Sequence, residues 1–182
     1  MKQLFDLVAC ILLLLLLLIP MLFIAIVIKL TSKGPIFYWS DRVGRYNLIF
    51  KMPKFRTMQI DTPAVPTHLL TNPKAFLSPL GAFYRRFSID ELPQLFSILK
   101  GDMSFVGPRP ALFNQDDLVA LRTEKGVDKL VPGITGWAQV NGRDELSIPE
   151  KVAFDVEYIA VSYTHLRAHE TPEHLVCRLL LE

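Results

Sequence analysis

Two adjacent carboxylates, Asp90 and Glu91, lie in the stretch Ser88-Ile89-Asp90-Glu91-Leu92-Pro93-Gln94-Leu95, with Arg85 and Arg86 shortly before them. A carboxylate beside guanidinium groups suits attack on phosphorus: the cations neutralise phosphate charge, and the acid forms an acyl phosphate that splits one hard transfer into two steps. The charge of a diphosphate also calls for Mg2+, with the same two carboxylates as candidate ligands. Ser88 and Glu91 have in addition the S-x-x-E spacing of a capping box, so a structural reading stands beside the chemical one, in which these residues simply start a helix. Pro93 counts against it, since with Ser88 as the cap it falls where an amide should donate to Ile89. On either reading the carboxylates fall in or beside a first turn, where the helix dipole favours their ionised forms. Neighbouring helical positions point about 100° apart, so the pair is poorly placed to share one proton. Distinct roles follow, with Asp90 as nucleophile and Glu91 as supporting ligand or orienting group.

Other candidates lie to either side. Lys51, Lys54 and Arg56 bring three cations into six residues, suited to binding phosphate or to forming a solvated or headgroup-facing edge. Gly107-Pro108-Arg109-Pro110 holds an arginine in a stiff turn, and the run from Pro132 to Arg143 mixes glycines with polar groups, Gln139 and Arg143 among them. Both segments have the glycines that close approach to a nucleotide sugar requires. Taken alone, glycine and proline mark turns, and Trp137 reads as core rather than as a stacking platform. Arg122 lies away from every motif and is expected to be dispensable for activity.

The elements that must position these residues begin with a membrane segment. From Leu7 to Ile28 no charged residue occurs, and at about 1.5 Å per residue that run makes a helix of roughly 33 Å, long enough to cross the hydrocarbon of a bilayer. Pro20 removes a backbone donor and predicts a kink or break there. No small-residue cleavage site follows, which excludes a secretory signal. Lys2 flanks one end and Lys29 and Lys33 the other, so charge selects neither a single pass nor a hairpin returning to the cytoplasmic face. Past the anchor, Ile36 to Trp39 and Leu48 to Met52 read as two strands joined by a turn at Gly44. Pro63, Pro66, Pro73 and Pro79 make residues 61–80 a loop. Leu92, Leu95, Phe96 and Leu99 follow i, i+3, i+4, i+7, giving a helix of about three turns with Lys100-Gly101 as its stop. Further helices are expected from Ala111 to Glu124, closed by Gly126, and from Pro149 to about Tyr158.

Composition narrows the class. The 182 residues suffice for one modest core, and the hydrophobic share of 51% is raised by the anchor. A net charge of +2 and the lack of basic runs interleaved with aromatics exclude nucleic acid as the expected partner. Cys10 lies in the apolar run and Cys177 near the far end, which supports no disulfide and fits a reducing, cytoplasmic setting.

With these residues in place the chain resembles the bacterial sugar transferase family, the monotopic phosphoglycosyl transferases. The resemblance rests on the apolar segment, Asp41-Arg42-Val43-Gly44, Lys54-Phe55-Arg56-Thr57-Met58, Asp90 to Leu95, Lys100 to Pro110, and Pro132 to Arg143. It implies a mixed α/β catalytic domain over residues 34–160, an N-terminal re-entrant membrane helix over 1–33, and amphipathic helices. It further implies a ping-pong reaction at the cytoplasmic face of the bacterial inner membrane: Asp90 is phosphoglycosylated by a UDP-sugar, UMP leaves, and undecaprenyl phosphate takes the phosphosugar. Glu91 completes the catalytic pair and shares Mg2+ with Asp90. Arg85 and Arg109 fall near the phosphates, with Lys54 and Arg56 as further phosphate contacts, and Gln139 to Arg143 lie where donor recognition is expected.

Two departures stand out. The family breaks its helix at a Ser-Pro pair, whereas here Ile19 precedes Pro20. From Val161 the chain reads Val-Ser-Tyr-Thr-His-Leu-Arg-Ala-His-Glu-Thr, which resembles an in-frame translation of a transposon sequencing adapter and makes residues 161–182 a non-native tail. His165, His169 and His174 are then no metal site, and no carboxylate or cysteine is suitably placed to join them. A membrane-tethered phosphohydrolase and a non-enzymatic assembly partner are the rival readings; neither accounts for the motifs downstream of Asp90.

Overall fold

The computed structural model describes residues 2–59, 76–142 and 145–170, with side chains of the last helix through Val161. The proline-rich stretch 60–75, Arg143, Cys177 and His174 lie outside the described residues. The fold is mixed α and β and divides into two compact units, residues 1–42 with 49–105, and residues 43–48 with 106–182.

The first unit is built on the apolar helix α1 (Lys2–Thr31). Pro20 lies inside α1 without ending it, contrary to the expected break; a single missing donor removes one bond from a ladder that neighbouring turns sustain. Among the described residues α1 is the one helix long and apolar enough to cross a membrane. Strands β1 (Phe37–Val43) and β2 (Ile49–Phe55) form a two-stranded sheet as expected. Phe55 of β2 packs with Met21 and Ile28 of α1 and with Tyr84 of α2 (Gly81–Arg86), the core of this unit. Near its other end α1 is held by polar contacts: Ser104 Oγ donates to Asp6 Oδ2 at 2.8 Å, and the Cys10 thiol to the Leu95 carbonyl at 3.1 Å. The chain on either side of residues 60–75 is pinned together, with Gln59 N–H donating to Phe76 O and Ser78 N–H to Thr57 O.

The helix expected after the acidic pair is present in two parts, a 3-10 segment over Ile89–Gln94 containing Pro93, then α3 (Leu95–Lys100) closed by Gly101 at φ 86°. Its buried face differs from the expected stripe. Leu95 and Ile98 are buried, whereas Phe96 and Leu99 are over 40% exposed. The tight 3-10 turn rotates the residues that follow relative to a continuous α-helix, so a 3.6-residue stripe counted across Pro93 loses register.

In the second unit, α4 (Asp116–Glu124) starts later than expected because Leu112 N–H is held by Gln115 Oε1, and it closes on Gly126 at φ 73°. Strand β4 (Gly133–Thr135) pairs with the Val106 end of β3 (Ser104–Val106). Here two glycine-rich motifs cross: a Cβ on Gly133 would stand 2.2 Å from the Gly107 nitrogen, and one on Gly136, just before the short α5 (Trp137–Val140), 2.2 Å from the Gly107 carbonyl oxygen. These glycines are accounted for by backbone packing on backbone rather than by a ligand. The closing helix α6 (Ile148–Glu170) outruns its expected end at Tyr158, and its start is a capping box in which Glu150 accepts from the Ser147 amide and hydroxyl at 2.8 and 2.7 Å.

Arg122, away from every motif, has a structural role. Its Nε and Nη2 donate to Asp155 Oδ2 at 2.9 and 2.7 Å, and its Nη1 to the Arg109 carbonyl at 2.8 Å. Asp155 is 1% exposed, so the pair ties α4 and α6 to the turn carrying Arg109. Removing one partner of a buried pair strands the other charge, and Arg122→Ala is expected to cost about 3–5 kcal/mol of unfolding free energy, measured by denaturant titration of the detergent-solubilised protein against an exposed control, Lys125→Ala.

Candidate active site

The acidic turn sits where β2 and α2 converge. Gly81 lets α2 start directly on Thr57, since a Cβ there would lie 2.1 Å from the Thr57 carbonyl oxygen. One turn later Arg85 Nε donates to Thr57 Oγ1 at 3.0 Å, on the same face of the helix. The chain then reaches Ser88 in the left-handed region, φ 54° and ψ 23°, a conformation that costs a non-glycine residue roughly 1–2 kcal/mol. Ser88 makes no side-chain cap hydrogen bond, so the capping box allowed by the sequence does not form. Glu91 faces β2 instead, where its Oε1 accepts from Lys54 Nζ at 2.8 Å, both side chains being more than four-fifths buried.

Asp90 is 8% exposed. Burial lifts its carboxyl above the ordinary value of 3.8; Lys54 opposes that rise, Glu91 adds to it, and Arg85 and the local backbone amide oppose it in turn. Desolvation dominates because it penalises the charged form directly. Asp90 is thus a largely desolvated carboxyl group within electrostatic reach of two cations, Lys54 and Arg85. Four residues on, Gln94 is 1% exposed and its Nε2 has no hydrogen-bond partner among the described residues.

Lys54, Arg85, Asp90 and Glu91 therefore fall in one region of the first unit. Arg56 belongs to the same unit but acts elsewhere. Its Nη1 donates to the Lys33 carbonyl, and its Nη2 to the Ser32 carbonyl at 3.1 Å and to Ser32 Oγ at 3.0 Å. The guanidinium expected on phosphate is occupied at the carboxyl end of α1. Arg109 and Gln139 belong to the second unit. A small cavity of about 30 Å³ lies beside Arg109, lined also by Gly44 and Arg122. Gln139 Nε2 donates to the Ile134 carbonyl at 2.8 Å while its buried Oε1 has no partner among the described residues. Trp137 is 43% exposed rather than core, with Nε1 donating to Glu157 at 2.9 Å. Thr57 joins the site through Arg85 without being a candidate on sequence grounds; its place inside Lys54-Phe55-Arg56-Thr57-Met58 is the signal that points to it.

Comparison with known proteins decides the family. The bacterial sugar transferase model matches residues 1–167. The chain belongs to that family. It is 43% identical over 160 residues to the uncharacterized sugar transferase EpsL of Bacillus subtilis (strain 168), covering 87% of this chain and 77% of that one. It is 41% identical over 173 residues to the undecaprenyl-phosphate glucose phosphotransferase of Komagataeibacter xylinus, and 39% identical over 166 residues to the UDP-glucose:undecaprenyl-phosphate glucose-1-phosphate transferase of Escherichia coli (strain K12). Each of these two matches covers 87% of this chain, which spans only 32% and 36% of the two proteins. Membership makes this sugar transferase an enzyme of phosphoglycosyl transfer.

The raised Asp90 pKa has a stability consequence. The folded state holds that proton more tightly than the unfolded chain, so the contribution of Asp90 to stability falls as pH rises from about 3.8 through the raised value. Asp90→Asn, which has no proton to lose, is expected to melt higher than wild type at pH 7, with the gap closing towards pH 4, as read by scanning calorimetry across that range.

Proposed function

We propose that this sugar transferase moves a phosphosugar from a UDP-sugar to undecaprenyl phosphate at the cytoplasmic face of the bacterial inner membrane, opening the assembly of a glycan on its lipid carrier. The observation that carries the reading is Asp90: a carboxylate 8% exposed, in a strained turn, within electrostatic reach of Lys54 and Arg85. The names of the Komagataeibacter and Escherichia coli relatives support the acceptor, and the latter also supports the donor class.

In the first step an Asp90 carboxylate oxygen attacks the phosphorus that bears the sugar. The bridging P–O bond breaks, its electron pair leaves with UMP, and an acyl phosphate carrying the sugar remains. In the second, a phosphate oxygen of the lipid attacks the same phosphorus, the acyl P–O bond breaks, and Asp90 returns as carboxylate with a diphosphate-linked sugar on the lipid. Neither step needs a proton from solvent. Lys54 and Arg85 offset the charge gathered at phosphorus, and their position next to a desolvated nucleophile strengthens that effect. Asp90 and Glu91 would hold Mg2+. Two carboxylates, with no cluster of three ligating side chains among the described residues, match its habit of taking one or two carboxylates and filling its shell with water and substrate phosphate. When bound, the ion would neutralise diphosphate charge.

The contacts of α1 support a placement with both of its ends on one face, as a re-entrant anchor requires, rather than a single pass, with the helix itself running on through Pro20. A crossing helix carries its ends to opposite faces of a core about 30 Å thick, yet Asp6 near one end and Ser32 past the other are both hydrogen-bonded to the first unit. Cysteines introduced at Lys2 and Lys33 are expected to react with a membrane-impermeant thiol reagent from the same side; reaction from opposite sides would restore the single pass.

The reaction is tested by incubating membranes with UDP-sugar and labelled polyprenyl phosphate. Lipid-linked diphosphosugar with equimolar UMP is expected. Free sugar phosphate without lipid product would indicate a hydrolase, and no turnover a non-enzymatic role. Asp90→Asn should lower UMP release on the order of 10³-fold or more and abolish covalent labelling by the donor. Labelling should have an acid limb above the ordinary aspartate value of 3.8. Lys54→Met should move that limb to higher pH and Glu91→Gln to lower pH, since the first lowers and the second raises the Asp90 pKa.

A further inference from the structure

Lys54 and Arg56 are two residues apart where β2 ends, the spacing that returns side chains to the same side of an extended chain. One of them holds Glu91 by a 2.8 Å ion pair. The other grips the carboxyl end of α1, donating to the carbonyls of Ser32 and Lys33 and to the Ser32 hydroxyl. The last carbonyls of a helix lack intrahelical partners and carry the negative end of its dipole, so a cation is favourable there. Arg56 is 6% exposed, and to reach a phosphate its guanidinium would have to release α1. The residue between the two is buried as well: Phe55 stands in the core with Met21 and Ile28 of α1. A short, packed piece of backbone thus separates the end of the anchor from the ammonium group that orients Glu91.

We infer that Arg56 is a positioning residue for phosphosugar transfer: by clamping the carboxyl end of α1 to the end of β2, it fixes where Lys54 presents its ammonium and, through Lys54, where Glu91 stands beside Asp90. The inference rests on the transfer reaction proposed above. Loss of the clamp lets the end of β2 shift, and Glu91 loses a fixed partner. Lysine at position 56 keeps the charge but presents one point in place of a planar fork, and so satisfies only part of the contact.

The test uses the full chain in phospholipid nanodiscs, comparing wild type, Arg56→Met, Arg56→Lys, Lys54→Met and the double variant. Two quantities are measured. The first is the rate at which Lys54 is acylated by an amine-reactive ester, read by mass spectrometry without donor or acceptor; the second is the steady-state kinetics with UDP-sugar and undecaprenyl phosphate. Arg56→Met is expected to raise Lys54 acylation severalfold and to lower kcat by about tenfold with KM for the UDP-sugar unchanged. Arg56→Lys should recover part of both, and the double variant should be no slower than Lys54→Met alone. A raised KM with unchanged kcat and unchanged Lys54 acylation would make Arg56 a phosphate ligand and overturn the inference. A lower melting temperature with normal acylation and kinetics would reduce it to a structural clamp and overturn it equally. If Arg56→Met does not fold, Arg56→Lys carries both measurements. If wild type releases no UMP, the proposed reaction fails, while Lys54 acylation still decides whether Arg56 positions that side chain.

Discussion

The ion pair between Lys54 and Glu91 decides what kind of turn follows Arg86. A glutamate three residues after a serine closes a helix start when nothing else claims it, and the same chain supplies that case: Glu150 accepts from the amide and hydroxyl of Ser147 and α6 begins there. At Ser88 the identical spacing yields something else, because β2 brings an ammonium within 2.8 Å of Glu91. With its glutamate taken, Ser88 forms no cap and settles in the left-handed region, and the chain proceeds as a 3-10 segment through Pro93. The strain and the missing cap are local costs. They leave Asp90 in a turn whose burial raises its pKa, whereas Glu91 is held as the anion of an ion pair. Two adjacent acids thereby acquire different chemistry.

The same contrast explains what is legible in the sequence. The apolar helix, the two strands around Gly44, the helices α3, α4 and α6 and the acidic pair can all be read, because each depends on periodicity or on neighbours within a few residues, whereas the short α2 and α5 have no such signal. What cannot be read depends on partners far along the chain. Arg56 reaches back to Ser32, Lys54 forward to Glu91, and Arg122 across to Asp155, 33 positions away. A cluster of cations in sequence therefore resolves into unlike roles, one guanidinium at a helix end and one ammonium in the active turn. Arg122 reads as idle in the sequence because its partners, Arg109 and Asp155, both lie more than ten residues from it.

Glycine shows a related limit. The runs Gly107 to Pro110 and Pro132 to Gly136 have the composition of a ligand cradle, and close approach is indeed why they are glycines. The approaching group is the other run's backbone. Gly107 N–H donates to Thr135 O and Gly133 N–H to Pro108 O, both at 2.9 Å, so a side chain on either strand would separate them. Composition identifies tight contact but not its partner, and here the contact builds the turn from which Arg109 projects.

For α1 the obstacle is different in kind. Nearly every position is apolar, so hydrophobic periodicity has nothing to select a face, and no reading of the run could say which side docks. The buried residues do: Asp6, Cys10, Met21 and Ile28 are spaced by four, eleven and seven positions, and at about 100° per residue they fall within roughly 60° of arc. That stripe runs past Pro20 without changing face, which a broken helix would not preserve, while Leu15, Leu16 and Ile19 away from it are more than two-thirds exposed. The two residues least suited to hydrocarbon, an acid and a thiol, both lie on the stripe, where Ser104 and the Leu95 carbonyl satisfy them. One end of the stripe thus meets the helix that follows the acidic turn, and the other meets Phe55, next to Lys54. The anchor and the active turn are consequently parts of one packed unit, and a change in how α1 is held reaches Asp90 through contacts already made.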